Sequence, residues 1–385
     1  TTIMSSKFTI FIHVYYGLPF FREAIKAIQD QTYQNLEIII QNNGADQEIT
    51  DFILETQKAD KRIKVLRYEK NMFSYDDPHE SFEFINNASL KIAEGEFIFF
   101  QSYDDLMSLD YAERMVKLFN DNSECISAAG LPVSIDRENN IAKEELYERV
   151  SNLRPRYMPG HKMILDHLNP IGGRMFSSPG TIFTFRKDIL NKLGGFHRSA
   201  EYADLYGIVP FGITGFDEEA IFYWRRHEGQ LNRELYRRGW VGVKEFDSVL
   251  KDFSIKERWS NSFGEDVARY VVSRISSCID EDAAGCTVIC LFTFHFKGAL
   301  KSFSNSFLRI NYWKALPKTI WRHKMVLVLT FLSTFQWVIQ PFINILNSLL
   351  PSKAPGSGMI KKIQRYYDKG DVTISIISNK EPSQR

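Results

Sequence analysis

The chain has 385 residues, which is enough for two domains or for one large domain with an appendage. A hydrophobic fraction of 44% beside 25% charged residues is an ordinary globular composition that fills a sizeable core, and it argues against a disordered chain. The net charge of +1 conceals a division: residues 291–370 hold twelve Lys/Arg and one acid, Asp368, and the remainder of the chain is acidic. That asymmetry points to an anionic partner for the basic stretch, and no nucleic-acid partner is expected of the acidic body. Aromatic residues reach 14%, with 30 Phe and 17 Tyr, which suits stacking surfaces or a membrane interface. The four cysteines, Cys125, Cys278, Cys286 and Cys290, form no C-x-x-C pair. They read as reduced thiols in a reducing compartment. The opening "TTIMSSKFTIFIHVYY" has no charged segment leading into a small-residue cleavage site, so no signal peptide is expected. No internal repeat or low-complexity segment is evident.

In chain order, "FTIFIHVYY" is a β-branched and aromatic run that predicts a buried strand. "PFFREAIKAIQDQTY" follows as a helix, with Pro19 as its starter. "LEIIIQNNG" predicts a second strand ending in a turn, "ADQEITDFILETQKAD" a helix, and "RIKVLRYE" a third strand. "SFEFINNASLKIAEG" predicts a helix and "EFIFFQS" a fourth strand. Strand–helix alternation at this interval implies βαβ units and a parallel sheet. Ligands of such sheets bind beyond the carboxyl ends of the strands. Three stretches fall there: Tyr15-Tyr16, Asn42-Asn43-Gly44 and Ser102-Tyr103-Asp104-Asp105.

Adjacent carboxylates at Asp104 and Asp105 repel each other, and something must compensate. Hard oxygen donors at a strand's carboxyl end suit Mg²⁺ or Mn²⁺, and such an ion favours a diphosphate. A solvated turn, or a helix N-cap with Asp105 near the dipole, is the alternative.

The order of these pieces resembles the family 2 glycosyltransferases of the GT-A fold. "DQTYQNLEII" (30–39) and "LKIAEGEFIFF" (90–100) carry the resemblance most closely, and it extends over roughly residues 7 to 230. The resemblance implies an α/β fold with a mixed, mainly parallel sheet flanked by helices. It implies a nucleotide-sugar half over 1–120 and an acceptor half over 121–245. Tyr15 then stacks on or packs against the nucleotide base, Asn42 stands where the family has an Asp that reads the base edge, and Asn87 lies beside the nucleotide. Asp104 matches the metal-binding Asp, and Asp105 is its neighbour. The first Asp of the family's "DxDD" is Ser102 here, and the usual "PTYN" is His13-Val14-Tyr15-Tyr16. A hydroxyl and an amide still hydrogen-bond a ribose and a base.

"SSPGTIFTFRKDILNKLGGFHRSAEYADLY" resembles the family's acceptor half, with Gly194-Gly195-Phe196 as its "GGF". Inverting transfer needs a carboxylate to take the proton of the acceptor hydroxyl. Where the family has "EDYDL" this chain has Glu201-Tyr202-Ala203-Asp204-Leu205, so Asp204 is the first candidate for the base and Glu201 the second. In "FYWRRHEGQLN" (222–232), similar to a late "YRxHxxxxS" element, His227 would be a third metal ligand or a diphosphate contact and Arg225 a diphosphate clamp. Asp217, Glu218 and Glu219 read as an intervening loop that binds acceptor or is solvated.

Beyond 245 the chain turns to helices, and "SFGEDVARYVVSRISSCI" is amphipathic. "MVLVLTFLSTFQWVIQPFINILNSLL" (325–350) has no charged residue, is interrupted by Pro341, and has Lys, Arg and Trp at its borders. That combination predicts interfacial attachment to an anionic membrane surface. A spanning helix, a buried helical subdomain and a homo-oligomer contact are the alternatives. The expected function is inverting, metal-assisted transfer from a nucleotide-diphosphate sugar, UDP-linked, to a glycan or lipid-linked acceptor. It would take place at the cytoplasmic face of the inner membrane. A sugar-nucleotide nucleotidyltransferase and a non-catalytic glycan-binding scaffold with a degenerate site are the other readings.

Overall fold

In the computed structural model, which describes residues 6–75, 78–142, 154–168, 183–196, 206–239, 254–292, 295–320 and 375–377, the first strand is β1, Phe8–Val14. It is buried on both faces because β2 (Leu36–Asn43) and β4 (Phe97–Ser102) flank it in parallel and helices cover the sheet. Between β1 and β2 runs α1 (Leu18–Gln29), which buries Phe21, Ala24, Ile25, Ala27 and Ile28 at helical spacing. α2 (Gln47–Ala59) starts at Asp46, whose carboxylate accepts from the Ile49 N–H at 2.9 Å. β3 (Ile63–Tyr68) and α3 (Pro78–Ile92) complete the alternation expected of the first hundred residues.

The sheet continues through β5 (Leu106–Met107), β6 (Cys125–Ile135), β8 (Tyr157–Pro159), β9 (Phe183–Arg186) and β10 (Ile213–Arg225) in the order β3-β2-β1-β4-β9-β6-β10-β5, with β8 on the far side of β10. The long pairings are parallel, and the short ones of β9, β5 and β8 are antiparallel. The chain thus has the mixed, mainly parallel α/β sheet expected of the GT-A class. β7 (Asn140–Ala142) forms a separate parallel pair with β11 (Ser375–Ile377).

One element differs from expectation. Asp217, Glu218 and Glu219 lie inside β10, where a bulge between Asp217 and Ile221 takes up the irregularity, and not on a loop. Arg114 on α4 (Tyr111–Asp121) makes this tolerable: it pairs with Glu219 at 2.8 Å and reaches Asp217 at 3.4 Å.

The chain divides into two compact units, residues 1–226 with 355–379, and residues 227–354 with 380–385. The boundary expected near 245 falls outside the described residues. The second unit is helical: α7 (Leu231–Arg237), α8 (Ile255–Phe263), α9 (Glu265–Phe292), α10 (Phe296–Ser306) and a further helical run over 310–320. Its core takes Trp259, Ala268, Val271, Ile275 and Ile279. Among the described residues no helix is long and apolar enough to cross a membrane, and the stretch 325–350 lies outside them. The cysteines are free thiols, and burial pushes that of Cys125 up to about 11.

Candidate functional site

Strand register brings the carboxyl ends of β1, β2 and β4 together. His13 is opposite Gln41 on one side and Ser102 on the other, and Val14 is opposite Asn42. Three of the predicted stretches therefore share one edge of the sheet.

Beyond β4 the chain turns at Tyr103, Asp104 and Asp105, all largely buried. The turn is held from β10 by Arg225. Its backbone N–H donates to Asp105 Oδ1 at 2.9 Å, and its Nε donates to the Asp104 carbonyl at 2.7 Å. Its Nη1 donates to the Arg137 carbonyl at 3.1 Å and to Asn139 Oδ1, and its Nη2 to Glu23 Oε2 at 2.7 Å. Asn139 Nδ2 donates to the same Glu23 oxygen at 3.1 Å, and Phe20 lies under the guanidinium at 4.6 Å. Gln101 completes the turn by donating to the Asp105 carbonyl at 2.7 Å. This fully buried arginine is the compensation that the paired acids require. Burial, and then the Asp104 charge, nevertheless hold the Asp105 carboxyl well above the usual range, against the pull of Arg225.

The β1 and β2 ends are built from neutral groups. Asn42 is buried, accepts from the Ala45 N–H at 2.9 Å and donates to Thr50 Oγ1 at 3.1 Å, so its amide shapes the turn into α2. Asn43 donates to Asn71 Oδ1 and accepts from the Met72 N–H, both at 2.9 Å. Burial lowers His13 to about 4 and keeps it neutral, with its ring 5.2 Å from that of Phe82. Tyr15 and Tyr16 are the exposed aromatics of this edge, 39% and 42% accessible and in edge-on contact at 6.0 Å. Tyr16 leans on Tyr103 at 5.1 Å. The Tyr103 ring also lies so close to Gly17 that a Cβ there would meet it at 2.4 Å, and Gly17 has a φ of +84°. Side chain and left-handed backbone both demand glycine at that position.

Asn87 ties α3 to the Gly194-Gly195-Phe196 turn. From α3 its Nδ2 donates to the Phe196 carbonyl and its Oδ1 accepts from the Phe196 N–H, both at 2.7 Å. Gly195, with φ +98°, would carry a Cβ 2.3 Å from Asn87 Oδ1. The "GGF" turn is thus a receptor for an asparagine amide. It follows α6 (Lys187–Lys192), which comes after α5 (Gly160–Leu168) in the chain and leads directly out of β9.

Of the predicted site residues, Tyr15, Asn42, Asn87, Ser102, Asp104 and Arg225 lie in the first unit, and His227 is the first residue of the second. Glu201 and Asp204 lie outside the described residues. Among the described residues no group of three or more His, Cys, Asp and Glu side chains could hold a metal ion. Sequence reasoning missed Glu23, Asn139 and Gln101. A signal for Glu23 existed, since a buried arginine needs an acid, but nothing in the sequence says which one.

Residues 9–75, which include β1, β2 and β3, match the model of glycosyl transferase family 2. Over these residues the chain is similar to glycosyl transferase family 2. An uncharacterized glycosyltransferase of Haemophilus influenzae is 28% identical to this chain over 231 residues, covering 58% of this chain and 67% of that one. A Campylobacter jejuni protein named GalNAc(5)-diNAcBac-PP-undecaprenol beta-1,3-glucosyltransferase is 26% identical over 138 residues, covering 36% and 41%. The chain spans less than half the length of most of the curated relatives it matches. Among solved structures, the mannosyltransferase PcManGT of Pyrobaculum calidifontis in complex with GDP-Man and Mn²⁺ aligns with a TM-score of 0.45 at 13% identity, over 83% of this chain and 88% of that one.

Proposed function

We propose that this family 2 glycosyltransferase moves a sugar, with inversion, from a nucleotide-diphosphate sugar to a glycan or lipid-linked acceptor at the cytoplasmic face of the membrane. The observation that carries this reading is the buried Asp104-Asp105 turn at the carboxyl end of β4, held by Arg225 beside the family-matched strands. Tyr15, exposed at the end of β1, offers a ring face to the nucleotide base. Ser102, opposite His13 in the sheet, would contact the ribose or the diphosphate. Asn42 and Asn87 act by shaping the turns around the nucleotide, since both amides are engaged by protein groups. Arg225 acts in the same way: it positions the acidic turn from beneath.

The donor set fits a divalent cation. Two adjacent acids, one of them with its carboxyl held above its ordinary range by burial and by the other's charge, are relieved by a nearby positive ion. Asp104 would hold Mn²⁺ or Mg²⁺. Diphosphate oxygens and water would complete the coordination of such an ion. Such an ion supplies charge neutralisation for the departing nucleotide diphosphate. Asp204, or else Glu201, takes the proton from the attacking hydroxyl.

Thermal-shift titration with UDP- and GDP-sugars, with and without Mn²⁺, tests the reading, because a bound ligand raises the melting temperature by mass action. A metal-dependent shift with one nucleotide sugar, and its slow hydrolysis without acceptor, is the expected outcome. No shift with any of them sinks the reading in favour of a binding scaffold.

A further inference from the structure

The last described helices of the second unit are turned inside out. α10 buries its small residues, Gly298, Ala299, Ser302 and Ser306. Its large apolar residues face solvent, with Phe296 at 61% and Leu300 at 68% exposed. The orientation is locked. A Cβ on Gly298 would meet the Arg237 carbonyl at 2.1 Å, so only this face fits against the chain there. Ser302 donates to the Ala283 carbonyl at 2.9 Å and is bonded by Thr287 at 3.0 Å, and Thr287 in turn accepts from the Tyr312 hydroxyl at 3.1 Å. The run over 310–320 repeats the pattern. Tyr312, Ala315 and Thr319 point inward, while Ile310, Trp313, Pro317 and Ile320, spaced three, four and three residues apart, form one exposed stripe. Leu308, between the two helices, is 84% exposed. Phe303 meets both Phe307 and Trp313, at 6.0 and 5.9 Å, so the two helices present one continuous apolar surface.

A surface of this extent marks an interaction site, and its charge selects the partner. Lys297, Lys314 and Lys318 are exposed along it, and no Asp or Glu occurs anywhere between Ala283 and Tyr367. A second copy of the chain docking through the same face would bring lysine to lysine with no acid to answer it, and lysine is depleted from protein interfaces. We infer that the outward faces of α10 and the 310–320 helix form a docking surface for anionic lipid. Their apolar side chains enter the acyl boundary and the lysines meet the headgroups. The inference does not depend on sugar transfer. It places the attachment on residues that precede the apolar stretch 325–350.

Flotation of the full chain with vesicles tests it, using phosphatidylcholine alone or mixed with phosphatidylglycerol. Binding to the mixed vesicles at least tenfold above that to phosphatidylcholine is expected. The triple change Leu300→Glu, Leu308→Glu, Ile310→Glu should lower that binding at least tenfold with an unchanged melting temperature. Should this variant fold poorly, Lys314→Glu with Lys318→Glu provides a second reading: selectivity for the anionic vesicles falls while weak binding to phosphatidylcholine persists. Undiminished binding by both variants overturns the inference and assigns attachment to another segment. Sedimentation that shows an oligomer of the full chain dissolving into monomers in the triple variant, with no vesicle binding by either, overturns it in favour of a subunit contact. Hydrolysis of nucleotide sugar in solution is measured separately, so loss of the sugar-transfer reading and loss of the lipid surface give different results.

Discussion

The two sides of the candidate site are adjacent in the sheet and chemically unlike. At the ends of β1 and β2 every inward polar group is neutral: His13, Asn42 and Asn43 are buried or partly buried, and the two amides are spent on loop backbone. One strand over, at the end of β4, charge is concentrated in Asp104, Asp105, Arg225 and Glu23. Amide-built turns are stable in themselves and respond little to ions. A turn with two acids over one arginine is poised to respond to an added cation or diphosphate. The contrast therefore separates a side of amide-built turns from a side that senses charge. Substitutions on the two sides should differ in kind.

The largest effect is expected at the hinge of the charged side. Arg225→Ala leaves Glu23 and the acidic turn without their common partner and should cost roughly 3–5 kcal/mol of stability. Urea unfolding measures this, and a loss under 1 kcal/mol would show that the acids do not rely on Arg225.

Next comes a pH effect on the neutral side. His13 has its folded pKa depressed from 6.5 to about 4, so protonation is costlier in the folded chain than in the unfolded one. Above pH 6.5 the residue contributes no pH dependence. As pH falls from 6.5 towards 4 stability drains away, by roughly 3 kcal/mol at most for this one group. His13→Leu should flatten the stability–pH slope within that window. An unchanged slope assigns the acid sensitivity to other groups.

The third test separates chemistry from structure. Asp104→Asn should lower transfer about a hundredfold, near 2.7 kcal/mol, because an amide is a poor ligand for a hard cation. Its melting temperature should stay close to that of the parent. Retention of more than about a tenth of the activity, within 1.4 kcal/mol, counts against the metal role.

The smallest effect is expected at Asn42→Ala, which removes the acceptor of the Ala45 N–H and should cost about 1–2 kcal/mol of stability. Its effect on the affinity for Mn²⁺ should be negligible. A variant that keeps its stability but loses nucleotide discrimination would return Asn42 to the base-reading role that its alignment suggests.

The four opening strands and their helices were legible because long β-branched runs alternate with amphipathic segments whose Pro, Asp and Asn boundaries have local causes. Pro19 and Asp46 each act within a turn of their own helix. The partnerships across the site were not legible in that way. Asp105 and Arg225 meet through two strands far apart in the chain, and the phrase around Arg225 equally suggests a surface clamp. The Asp217-Glu218-Glu219 run looks like a loop because three acids in a row are rare in a strand. Arg114 and Arg156, from elsewhere in the chain, make the strand tolerable. Inside-out α10 is a related case: its periodicity is evident, but hydrophobicity alone points to the wrong inner face, and the glycine and serines settle it.

The parallel pair between β7 and β11 has a consequence for how the protein is made. Ser375, Ile376 and Ile377 lie against Asn140, Ile141 and Ala142, directly after the Asn139 that steadies Arg225. Such a pairing closes a very long stretch of chain for only three residues of ladder, so its entropy cost is paid late. During synthesis β7 emerges from the ribosome long before its partner exists. The sheet around the acidic turn can therefore assemble first, with this small ladder zipping up only once residues 375–377 have emerged.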